Sequence, residues 1–197
     1  MRDFTCYASN SAHMLEALQN ADPIFGTTAE ELLMGNEIYP FETELLHSPS
    51  VRDDATGTCF EALTAAIEDD GMLVGIFHML FCEKRGFMSD KRFGAKTFGY
   101  SVVKQGRPNA FIITEGIIEA LKLSEIMGDD HTVIATLNSK AMSRFIPPSE
   151  HVEDIIIGKI PDQIGEAGAL RLAEYVNRKS PSANIEIVSV PEVNYGR

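Results

Sequence analysis

The sequence predicts an α/β chain: a mostly parallel sheet flanked by helices over residues 106–197, preceded over residues 1–105 by a small α+β region with a β-hairpin. Three observations carry the prediction. After Asn109, short apolar runs alternate with runs of helical spacing, the pattern of strands joined by crossover helices. Two of the short runs, Phe111-Ile112-Ile113-Thr114 and Ile155-Ile156-Ile157-Gly158, are almost wholly apolar, as strands covered on both faces must be. Upstream, two long apolar runs are separated by Glu68-Asp69-Asp70-Gly71, which carries hairpin turn chemistry because glycine tolerates positive φ.

The elements follow in order. Residues 12–19 predict a helix, with Met14, Leu15 and Leu18 on one side. Gly26-Thr27-Thr28 reads as a turn and cap, with Thr28 three residues before Glu31 in capping-box spacing. A short helix over 29–34 then ends at Gly35. Residues 36–58 show little periodicity and predict loop with one short strand. The hairpin takes 59–67 and 72–82. A basic, glycine-punctuated stretch occupies 87–100. The alternating region then predicts a strand at 110–114, a helix at 117–127 closed by Gly128, and a strand at 132–137. A short helix at 139–145 is stopped by Pro147-Pro148. A strand at 154–158, a helix at 166–178 and a strand at 184–190 complete it.

Composition narrows the function classes. Of 197 residues, 44% are hydrophobic, enough for a sizeable core. No apolar run approaches the roughly 20 residues that span a bilayer. The first ten residues lack the apolar core of a signal peptide, so a cytoplasmic protein without membrane contact is expected. Cys6, Cys59 and Cys82 are widely spaced and form no CxxC pair, which excludes a zinc ribbon and favours reduced thiols. His13, His47, His78, His131 and His151 show no metal-ligand spacing. The net charge of -12 opposes a uniformly basic nucleic-acid-binding surface, but it is compatible with carboxylates that hold divalent cations beside a local basic patch.

In an open parallel sheet, ligands gather at the carboxyl ends of the strands. Two acidic residues are expected there. Glu115, in Thr114-Glu115-Gly116, projects from the end of a strand. It can bind Mg²⁺ or act as a general acid or base, or it can answer the positive end of the following helix. Asp162 lies on the loop from Gly158 to Gly165, and its alternative is an ordinary helix N-cap. Lys84, Arg85, Lys91, Arg92, Lys96 and Lys104 interleave with Phe87, Phe93, Phe98 and Tyr100. Phosphate contacts plus stacking is how single strands are held, and a solvated hairpin edge gives the same pattern. Ser139, Lys140 and Arg144 are expected to face the sheet end that carries Glu115, where phosphate contact is open to them.

AFIITEGIIEALKLSEI (residues 110–126) resembles the first motif of the Toprim family, an apolar strand followed by Glu-Gly and a helix. DIIIGKIPDQIGEAGALRLAEYV (154–176) resembles the second, in which a strand is followed by Asp-x-Asp and a helix rich in small residues. VIATLNSKAMSRFIPP is similar to the strand and loop between them. The segments IFGTTAEELLMGNEI, GMLVGIFHMLF and RFGAKTFG resemble the region before Toprim in primase-like proteins of phages and mobile elements. The resemblance spans roughly Asp22 to Glu192. It implies a Toprim-like fold acting in DNA replication. Glu115 and Asp162 would be the catalytic residues, Glu115 acting near the reacting phosphate, and the same two would hold Mg²⁺. DNA or RNA would be the partner, with a replication or defence protein as a second one. The chain departs from the motif at Ile160, where the first Asp is expected, which weakens the Mg²⁺ site. Asp154, Glu119 and Glu166 are the nearby acids that could substitute. Neither a zinc-binding module nor a helicase accompanies the motifs, so a freestanding core is expected. Two functions follow: a Mg²⁺-dependent primase-like nucleotidyltransferase or nuclease, or a catalytically degenerate relative that binds nucleic acid or a protein as a regulator.

Overall fold

The structure is a computed structural model that describes residues 5–6, 11–82, 86–94, 98–128, 130–149 and 151–190. The chain divides into two units, Met1–Lys96 with Val193–Arg197, and Thr97–Glu192.

In the first unit β1 (Thr5–Cys6), α1 (Ser11–Gln19), β2 (Asp22–Pro23) and α2 (Thr28–Met34) precede four longer strands. These are β3 (Leu46–Arg52), β4 (Cys59–Asp69), β5 (Met72–Cys82) and β6 (Gly86–Gly94). The sheet order is β1-β5-β4-β3-β2, with β6 also on β5. The β4–β5 hairpin forms as the sequence predicts. Its turn residues Asp70 (φ 49°) and Gly71 (φ 72°) both lie in the left-handed region, which matches the twist of a two-residue hairpin turn. From α1, Met14 and Leu18 pack on Leu73 and Ile76.

The one short strand expected within residues 36–58 is β3, seven residues long. Its register slips between Ser48 and Val51, around Pro49, which has no N–H to give the ladder, so the alternation that marks a strand is broken there. Thr28 is not the cap of α2. Thr27 holds that position, and the Thr28 hydroxyl donates instead to the Glu61 carboxylate on β4. The exposed N–H of Gly26 donates to Glu30 at 2.7 Å.

The second unit contains β7 (Ser101–Lys104), β8 (Arg107–Thr114), α3 (Ile117–Met127), β9 (His131–Ala135), α4 (Ser139–Met142), β10 (Asp154–Lys159), α5 (Gln163–Lys179) and β11 (Asn184–Ser189). Strand order is β11-β10-β8-β9-β7. Strands β8 to β11 are mutually parallel, and only the edge strand β7 runs antiparallel. The four-residue β7 was not expected, being too short for its alternation to register. The α4 helix stops at Met142, and hydrogen bonds of 3.0 and 3.1 Å to the carbonyls three residues back carry the turn on to Phe145.

Strand parity divides the apolar side chains between the two faces. Phe111, Ile113, Ile155 and Ile157 share a core with Ala169, Leu172 and Val176 of α5 and with Met142 and Phe145. Gly158, of the other parity, lies under α3. A Cβ there would come within 2.7–3.0 Å of Thr114, Val190 and Leu123. The sheet is thus covered on both sides, which is why its central strands tolerate no polar alternation.

Gly106 joins β7 to β8 where two backbones meet. A Cβ on it would fall 2.2 Å from the carbonyl carbon of His131, and no flexible side chain could yield. The Gly106 N–H donates to Thr132 Oγ1 at 3.2 Å, and that hydroxyl donates to the Arg107 carbonyl at 2.9 Å. Gly106→Ala should therefore destabilise the chain by on the order of 2 kcal/mol, the scale of overpacking against a fixed neighbour. Thermal unfolding checks this, and an unchanged midpoint would contradict the packing.

Candidate functional site

In the second unit, β8 leads through α3 to β9 on one side of it, while β10 lies on its other side. The chain order reverses at β8, which makes the gap between the carboxyl ends of β8 and β10 the topological switch point where open α/β sheets place ligands. Glu115 directly follows β8, and Asp162 follows β10 by three residues. Register pairs Ile113 with Ile157, so the two loops leave the same sheet edge from adjacent strands.

Glu115 continues the parity of Phe111 and Ile113, the face covered by α4 and α5. It is only 9% exposed. Its Oε2 accepts a hydrogen bond from Ser139 Oγ at 2.7 Å. Its Oε1 is buried and has no protein partner. Burial pushes the Glu115 carboxyl above the usual carboxylate range. The Ser139 hydrogen bond pulls it back, and the negative charges of Asp162 and Glu119 push it up again. The three acids therefore act on one another at this edge. Gly116 makes room for that, since a Cβ on it would lie 2.0 Å from a Glu119 carboxylate oxygen.

Ser139 reaches Glu115 through a strained segment that the sequence does not announce. Leu137 has φ 65°, a costly conformation for a non-glycine residue. Its N–H donates to the Glu115 carbonyl at 2.7 Å, and the Thr136 N–H donates to the Thr114 carbonyl at 2.9 Å. Asn138 then caps α4, accepting from the Ala141 N–H at 2.8 Å. Asn138 is the legible part, an ordinary N-cap before a short helix. The reversal at Leu137 has no sequence signal.

Asp162 is the N-cap of α5, its carboxylate accepting from the Gly165 N–H at 2.6 Å. The capping alternative is thus realised in the same residue whose charge acts on Glu115. Of the acids that might replace the carboxylate absent at Ile160, Glu166 pairs with Lys159 at 2.8 Å. Asp154 begins β10, at the opposite edge of the sheet, where it meets His131 Nε2 and Asn184 Nδ2, each at 3.0 Å. Only Glu119 is close enough to bear on Glu115. Among the described residues, no group of three or more His, Cys, Asp or Glu side chains is placed to hold a metal ion. The acids at this edge are Glu115, with its unpartnered oxygen, Asp162 and Glu119. A hydrated divalent cation commonly takes one or two carboxylates from a protein and completes its shell with phosphate oxygens and water.

The described basic candidates divide between the two units, Lys91 and Arg92 in the first and Lys104, Lys140 and Arg144 in the second. Lys84, Arg85 and Lys96 lie outside the described residues. Neighbours in β6, Lys91 and Arg92, emerge on opposite faces of their strand. Lys91 Nζ bonds Asp54 at 2.9 Å and the Arg52 carbonyl at 2.6 Å, and it stands 4.9 Å from the centre of the Phe93 ring. Arg92 lies over Phe77, 5.0 Å from the ring centre, and 3.6 Å from Asp90. Burial, and then the charge of Lys91, hold the neighbouring His78 down to about 4, so it stays neutral and bonds Thr64 at 2.8 Å. Lys104 is buried in β7. Lys140 and Arg144 are exposed, within and just after the short helix that carries Ser139.

The raised pKa of Glu115 has a measurable sign. The folded chain holds this proton more tightly than the unfolded chain. The stability it contributes is present at low pH and is lost as pH rises through the raised value. Glu115→Gln should raise the unfolding midpoint at pH 7. The gap should close as pH falls to the ordinary carboxyl value of 4.5. A variant less stable than wild type at pH 7 would contradict this.

No protein-family model matches the chain, and no curated protein matches it. Solved structures do. The primase fragment of the bacteriophage T7 primase-helicase protein superposes with a TM-score of 0.53 at 14% identity, covering 89% of this chain and 73% of that one. A DNA primase domain from Pseudomonas aeruginosa superposes with a TM-score of 0.52 at 12% identity, covering 94% and 72%. Both units enter these matches, since neither unit alone spans nine-tenths of the chain. The chain therefore shares the fold of these two primase domains.

Proposed function

We propose that this protein acts on nucleic acid in the manner of a primase, with the edge shared by Glu115 and Asp162 as the place where a phosphate and Mg²⁺ meet. One observation carries the reading: a buried carboxylate with an unpartnered oxygen, held under the negative charge of two further acids. Such an arrangement is unfavourable in isolation and is relieved by a cation. Mg²⁺ bound there would neutralise charge developing on a phosphate. Glu115 would hold or pass a proton at Oε1, with Ser139 fixing the other oxygen. Asp162 would share the ion while keeping its cap on α5. Lys140 and Arg144, exposed beside Ser139, would draw phosphates towards the same edge.

Because no group of three protein ligands is placed for the ion among the described residues, nucleic-acid phosphate would have to complete the coordination. Mg²⁺ or Mn²⁺ should therefore raise the unfolding midpoint more in the presence of a single-stranded oligonucleotide than alone. Glu115→Gln should abolish the metal-dependent part and any primer synthesis or cleavage. Equal product from wild type and Glu115→Gln would remove the catalytic reading.

A second reading is favoured by Ile160 and by the Lys159–Glu166 ion pair. In it the protein binds nucleic acid, or a replication or defence protein, without catalysis. The two readings part at Ile160→Asp. A gain of metal binding in that variant, where the wild type shows none, would identify a site that has lost one ligand. If wild type already binds the ion, the non-catalytic reading loses its support.

A further inference from the structure

From Asp22 to Val51 the chain has no lysine or arginine but six carboxylates: Asp22, Glu30, Glu31, Glu37, Glu42 and Glu44. In the same stretch the first unit exposes large apolar side chains that its own core does not use. Phe25 is 56% exposed and Phe41 is 61% exposed, with ring centres 6.1 Å apart; Met34 and Tyr39 are exposed as well.

Their exposure is imposed by the frame beneath them. Ile24, just before Phe25, is buried, and the Thr27 N–H and hydroxyl both donate to its carbonyl. After α2 the chain turns back on itself. The Ile38 N–H donates to the Leu33 carbonyl at 3.0 Å, and Ile38 and Leu33 are both fully buried. Ile38 and Pro40 point inward, so Tyr39 and Phe41 must point outward. Two residues of this loop, Glu37 (φ 61°) and Glu42 (φ 62°), hold the left-handed conformation at its two ends. Phe25 and Phe41 thus form a fixed pair of rings, with exposed Glu31, Glu37 and Glu42 nearby in the chain.

We propose that this face is a docking surface for a basic protein segment that carries apolar anchors between its lysines and arginines. Paired aromatic rings supply what an anchor residue packs on, and the exposed carboxylates near them in the chain select the sign of the partner. Phosphate-backbone partners are disfavoured, because the exposed Glu31, Glu37 and Glu42 repel them. An anionic membrane is repelled for the same reason. A symmetric contact with a second copy would bring the acidic face against itself. The surface belongs to the first unit, and the proposal depends on neither reading of the edge at Glu115 in the second.

The test uses the full chain and a labelled synthetic peptide that alternates Lys or Arg with Leu and Trp, followed by fluorescence anisotropy. An oligolysine of equal length controls for charge alone. The wild type should bind the mixed peptide, more weakly as salt rises, and at least about tenfold more tightly than oligolysine. Phe25→Ser with Phe41→Ser should remove that preference while leaving single-stranded oligonucleotide binding unchanged. Glu37→Gln with Glu42→Gln should flatten the salt dependence. All four side chains are exposed, so the folded state should survive the changes. Three results would each overturn the proposal: no binding of the mixed peptide, equal binding of oligolysine, or an affinity indifferent to the two Phe substitutions. Loss of oligonucleotide binding in the Phe variant would also overturn it, by assigning the face to nucleic acid.

Discussion

Mutual repulsion among carboxylates at one sheet edge is the constraint on which the functional account depends. Glu115 is largely removed from water, yet it stands in the field of Asp162 and Glu119. Ser139 opposes the cost through its hydroxyl and, less strongly, its backbone N–H, and one oxygen is left without a hydrogen-bond partner. Proteins retain a strained charge of this kind where it serves a task, and the physical remedies are a proton or a cation. The candidate mechanism uses the second, a metal ion together with nucleic-acid phosphate.

The fold creates that edge by connectivity. Placing β10 beside β8, on the side away from β9, brings two loops distant in sequence to one crevice. Parity then decides which side chains enter it, since Glu115 follows Ile113 in facing α5. Small residues set the distances. Gly165 lies so close to Ile160 that a Cβ would be 2.9 Å from its carbonyl oxygen and 3.2 Å from the Asp162 carboxylate. That closeness allows one aspartate both to cap α5 and to face Glu115. Whether Asp162 can also ligate a metal depends on the oxygen not committed to Gly165.

Hydrophobic periodicity made the second unit legible, because strands buried on both faces and helices with one apolar side leave strong patterns. The helix at 117–127 is found with those bounds, and Glu115 and Asp162 fall at the strand ends where the pattern puts them. What escaped was local or conformational. The β7 strand is too short to alternate, and Pro49 breaks the alternation that would have fixed the bounds of β3. No residue type announces the left-handed Leu137, yet it is what turns Ser139 towards Glu115. The basic stretch was read by composition, whereas a strand separates consecutive residues onto opposite faces, as Lys91 and Arg92 show.

The most direct test is a carbon-detected NMR titration of the Glu115 carboxyl in wild type and in Asp162→Asn. Asparagine also caps helices, so α5 should keep its start and only the charge is removed. The account predicts a wild-type midpoint above the ordinary value of 4.5, shifted downward in the variant. A midpoint at or below 4.5, or one that ignores the substitution, would mean that the two acids do not share an edge.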